Sequence, residues 1–168
     1  GQFDRFTAKA CFNKGPRPLK TRDRTAFRVI TAWNGEQLRD NHPHGGKQIW
    51  ASPFTSSHDD IFDVDVDISG ATQLMLLVDA ADTKDMTTMW LNPQLHYSLP
   101  MPTGDVYLDD LDQLYYRVRQ GYSLGRRGED GYGTNGKLNV DGKMPAHAIS
   151  MHATKPAQKH PADAVWLL

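Results

Sequence analysis

Phe62-Asp63-Val64-Asp65-Val66-Asp67-Ile68 alternates apolar and acidic residues without a break. A period of two places Phe62, Val64, Val66 and Ile68 on one face of a strand and three carboxylates on the other. Strands inside a parallel sheet are apolar on both faces, so this pattern points to an antiparallel sheet with one wet face. Ser69-Gly70 ends the strand, and Leu74-Met75-Leu76-Leu77-Val78 reads as a short, deeply buried one.

Working outward, Phe6–Phe12 alternates loosely and breaks at Asn13-Lys14-Gly15-Pro16. Ala26–Trp33 is another strand, closed by Asn34-Gly35. An Asn-Gly pair tolerates positive φ and predicts a hairpin returning through Glu36–Arg39. Residues 40–47 are polar and turn-rich. Beyond them, Val106-Tyr107-Leu108 leads from a short strand into the acidic turn Asp109–Asp112. Tyr115–Arg119, Ala148–His152 and Ala164–Leu168 are further strand candidates. Gly121–Gly136 carries six glycines and forms neither a long helix nor a flat strand. It reads as a shaped loop. Many short strands punctuated by Gly and Asn turns predict an all-β antiparallel sandwich.

The chain has 168 residues, enough for one ordinary domain. Its formal net charge of -1 supplies no broad cationic surface for nucleic acid or an anionic membrane. No apolar run approaches the length of a membrane span. A lone cysteine, Cys11, rules out an intrachain disulfide, and its Ala-Cys-Phe setting predicts burial. Gly1 at the start and the apolar run Ala164–Leu168 at the end read as ends of a processed or excised chain.

The chemistry is less specific. The glycine loop contains no GxGxxG opening a helix and no GxxxxGK[ST]. Its Arg126, Arg127, Glu129, Asp130 and Tyr132 are candidates for recognition, and an arginine there would pair with an anionic sugar. The seven histidines form no HExxH, so zinc would have to be assembled in three dimensions. Two loop sets of carboxylates, Asp79/Asp82/Asp85 and Asp109/Asp110/Asp112, suit calcium, which takes several oxygen ligands from a bent backbone. Neither has the EF-hand register. With no GxSxG elbow and no carboxylate pair placed across a cleft, an enzyme reading has no anchor. Aromatic residues are more informative, because a flat ring stacks on the apolar face of a sugar. Trp90 and Trp166 lie in strand-like runs, where core placement competes with a ligand platform.

Several motifs together resemble NPCBM-type carbohydrate-binding modules in a planctomycete-like variant. Val106–Leu111, the glycine loop, Leu138–Lys143 and Ala148–Ala153 resemble the first half of such a module. Phe3–Phe12, Ala26–Val29 with Asn34-Gly35, Val66–Asp79 and Trp90–Leu95 resemble its second half. The halves are therefore expected in permuted order: residues 1–97, a linker over 98–106, and residues 107–168. These make one domain in a circular permutant, or complementary pieces in a slice of tandem modules. The resemblance implies a galactose-binding-like jelly roll and a non-catalytic, lectin-like sugar-binding role. It also implies a secreted or cell-surface location, with a glycan or glycosylated surface as partner. On this reading Trp90, Asp110, Arg126, Tyr132 and His152 would hold the sugar. Beyond a structural calcium, with Asp79, Asp82 and Asp85 as candidate ligands, no cofactor is expected. Where the family's sugar-binding branch has D-H-A-D-W, this chain has Met86-Thr87-Thr88-Met89-Trp90, without the His and both Asp. Galactose specificity is thus not carried over. The alternative is a structural or assembly repeat that contacts other modules or copies of itself.

Overall fold

A computed structural model of the chain describes residues 3–13, 24–33, 46–80, 87–97, 106–111, 113, 115–117, 124–126, 138, 143, 145–151 and 162–168. Eleven strands lie among them. They are β1 (Phe3–Phe12), β2 (Thr25–Ala32), β3 (Lys47–Ala51), β4 (Ile61–Asp67), β5 (Gln73–Ala80), β6 (Thr88–Tyr97), β7 (Val106–Tyr107), β8 (Tyr115–Arg117), β9 (Gly125–Arg126), β10 (Ala148–Met151) and β11 (Ala162–Leu167). One 3-10 turn, Leu108–Asp110, follows β7. Two antiparallel sheets pack as a sandwich. The first runs β4-β1-β6-β10-β9 with β7 also on β6, and the second runs β3-β2-β5-β11-β8.

The decisive alternation behaves as its period dictates. In β4, Val64 is buried while Asp63, Asp65 and Asp67 face solvent. Two of those carboxylates, Asp63 and Asp65, meet bases on β1. Arg5 donates from Nε and Nη2 to the two oxygens of Asp65 at 2.6 and 2.5 Å, and Lys9 pairs with Asp63. The Arg5 hydrogen bond holds the Asp65 carboxyl below the usual carboxylate range. The Ser69 hydroxyl and backbone N–H do the same for Asp67. Ion pairs this exposed set register more than they add stability.

The second sheet centres on β5, apolar on both faces as its sequence predicts. Leu74, Leu76 and Val78 enter the main core, while Met75 and Leu77 pack with Ile30, Ala32 and Val165 on the opposite face. The main core joins early and late residues, Phe6, Phe27 and Trp90 with Ile149, Ala164 and Trp166. Ala164–Leu168 and Phe3–Phe12 thus sit in opposite sheets yet line one interior. A smaller cluster on the outer face of the first sheet buries Cys11 with Met89, Leu91, Leu138 and Ala148.

Several boundaries differ from expectation. The described hairpin-like partner of β2 is β3, Lys47–Ala51, within and beyond a stretch that reads as polar turn. The expected return strand at Glu36–Arg39 lies outside the described residues. At Gly125–Arg126 the glycine loop contributes a short strand, paired to β10. The short strand expected at Val106-Tyr107 is present as β7.

Candidate functional site

The edge of β6 facing away from β1 is shared by two strands. Ala148–Met151 of β10 pairs with Leu91–Thr88, and β7 pairs with Gln94 and Leu95. Between these pairings lies Asn92-Pro93. There the β1–β6 register slips, Thr7 facing Gln94 and Lys9 facing Leu91. Such a slip is a bulge, which bends the strand and re-aims the residues beyond it. Asn92 takes φ of 46°, a left-handed conformation that asparagine accepts more readily than most residues. Pro93 has no N–H for a ladder. The bulge opens a corner where β7 ends, the 3-10 turn begins, and β10 is about to start.

Asp109, Asp110, His147 and Tyr107 meet in that corner. The Asn92 N–H donates to the His147 carbonyl at 3.0 Å, anchoring the backbone just before β10. Asp109 is fully buried, and its Oδ2 accepts the Ala148 N–H at 3.0 Å. Its Oδ1 shares a hydrogen bond of 3.2 Å with His147 Nδ1, and Asp110 Oδ2 lies 4.0 Å from that same nitrogen. The Tyr107 ring stacks on the imidazole, with centroids 3.6 Å apart and planes 7° from parallel. Asp110 is 41% exposed and the His147 side chain 29%, so one side of the group opens to solvent. Ligand atoms of Asp109, Asp110 and His147 all lie within 4.8 Å of one another. This cluster could coordinate a metal ion.

Of the residues singled out from sequence, Asp110 stands in this corner. Arg126 in β9 has its backbone opposite Ile149, two residues after His147, so it comes to the same end of the first sheet. Trp90 takes the interior of the two positions expected for it. Its ring is fully buried, edge-on to Phe27 at 5.5 Å and near Trp50 at 6.3 Å. It is core, not a surface platform. Tyr132 and His152 lie outside the described residues. Among the metal candidates, Asp79 accepts from Arg28 Nη2 at 2.8 Å, while Asp82 and Asp85 lie outside the described residues.

Sequence reasoning marked Asp109 and Asp110 as a loop set with ligand character, but it did not join them to Tyr107 and His147. His147 is nearly forty positions downstream. No spacing rule connects them, because the bulge and the split edge of β6 make the contact. Comparison with protein-family models, with curated proteins and with solved structures found no match.

Proposed function

We propose that this sandwich is a non-catalytic binding module for extracellular carbohydrate, recognised at the open side of the β7–β10 corner. The observation that carries the reading is the stacked Tyr107–His147 pair beside the part-exposed carboxylate of Asp110. Sugars ask for that combination: a flat apolar ring for C–H groups, and a fixed acceptor for hydroxyls. The NPCBM-like motif Val106–Leu111 contributes Tyr107 and Asp110 directly. A hydrolase with paired carboxylates needs both to flank a substrate bond. Asp109 is fully buried and held by the Ala148 N–H, which favours a positioning role. The natural setting of such a module is a secreted or cell-surface protein facing a glycosylated surface.

The test is a glycan array probed with the whole chain, followed by titration calorimetry on any positive sugar. The expected result is a glycan whose affinity falls by about tenfold or more in Asp110→Asn and in Tyr107→Ala, the loss for one charge-assisted hydrogen bond or ring contact. An array without signal, or a sugar bound equally well by both variants, would overturn the reading.

A further inference from the structure

We infer that Asp109, Asp110 and His147 form a binding site for a divalent first-row transition metal of the zinc class. The inference stands independently of sugar recognition. Three features of the corner carry it.

First, the donor spacing is close to that around one ion. Donors each about 2.0–2.2 Å from a zinc ion lie at most roughly 4.0–4.4 Å apart, the value for donors on opposite sides of the ion. The separations of 3.2 and 4.0 Å from His147 Nδ1 to the two carboxylates fall inside that limit, and all three donors lie within 4.8 Å of one another, so a small closure of the carboxylates completes the set. Second, the donors are held in advance. The Ala148 N–H fixes Asp109, Tyr107 fixes the imidazole plane, and the Asn92 N–H fixes the His147 backbone. A carboxylate ligand that itself accepts a hydrogen bond is the usual supporting arrangement at metal sites. Third, the charge matches. Two carboxylates converge, one of them with no exposure to water, and a dication balances both.

Donor type selects the metal. Calcium takes six or more oxygens, whereas this corner converges two carboxylates and an imidazole nitrogen, a donor favoured by zinc, nickel and cobalt. Part exposure of Asp110 and His147 leaves room for water to complete the coordination shell. Because Asp109 and Asp110 follow β7 and His147 precedes β10, a bound ion would cross-link these segments on either side of the β6 bulge.

The test uses the whole chain stripped with a chelator and titrated by calorimetry with Zn2+, Co2+ and Ca2+, without glycan. One equivalent of Zn2+ is expected to bind, more tightly than Ca2+ by about tenfold or more. Bound Co2+ should show visible absorption bands and raise the unfolding temperature. His147→Ala and Asp110→Asn should each weaken Zn2+ binding by at least about tenfold. Asp110 is half-open to solvent, so its variant keeps the test valid if His147→Ala folds poorly. Absence of Zn2+ binding, equal binding by both folded variants, or preference for Ca2+ would each overturn the inference.

Discussion

Trp90 shows how little a single residue type says about its job. Tryptophan beside polar loop motifs suits a sugar platform, and tryptophan in an apolar strand suits a core; β6 makes it the second. Among the described residues its buried indole N–H has no hydrogen-bond partner, and neither has that of Trp166. An unpaired buried donor costs free energy that packing must outweigh. Trp90→Ala is therefore expected to destabilise the fold by roughly 3–5 kcal/mol, the range for removing a large aromatic from a core. Trp90→Phe should cost clearly less, because it keeps a ring against Phe27 and removes the unpaired donor. Urea unfolding of both variants decides this. Equal losses would refute this, showing that a phenyl ring cannot take up the packing against Phe27.

Asn92 is where element-scale structure acts on the site. Without the bulge, β6 would run straight and one strand could take its whole free edge. With it, β10 and β7 divide that edge, and the residues after one and before the other converge. The left-handed φ of Asn92 makes the position testable. Asn92→Gly should leave stability within about 0.5 kcal/mol, since glycine adopts this conformation freely. Asn92→Val should cost about 1–2 kcal/mol, because a β-branched side chain clashes with its own backbone there. Denaturant midpoints for the pair separate backbone strain from any loss of side-chain contacts. β4 shows the opposite regime, in which sequence alone decides register. A slip of one residue against β1 would turn its carboxylates toward Phe6, Ala8 and Ala10 and away from Arg5 and Lys9.

Across the molecule, both sheets draw strands from each end of the chain. β11 pairs with β5 from Ala162↔Val78 to Leu167↔Gln73, and β10 pairs with β6. Removing residues 106–168 would strip a neighbour from β5 and from β6 and uncover the shared core. Fragments 1–97 and 106–168 are thus each expected to lack cooperative unfolding when alone. Mixed together they should regain the thermal transition of the whole chain. Circular dichroism of the separate and mixed fragments is the measurement, and a cooperative transition in 1–97 alone would refute a single shared interior.

Local patterning was enough to announce an all-β, antiparallel, two-sheet chain. The alternation of 62–68 and the uniform apolarity of 74–78 each specify a face, and facing is a local property of a period-two backbone. The acidic turn at 109–110 and the burial of Cys11 were legible for the same reason. Strand partners were not, because pairing joins segments far apart in sequence, and β3 carries too weak an alternation to declare itself. Nor could composition join Tyr107, Asp109 and Asp110 to His147. That meeting depends on a bulge at Asn92-Pro93 and on which strands settle along β6, and only long-range packing decides both.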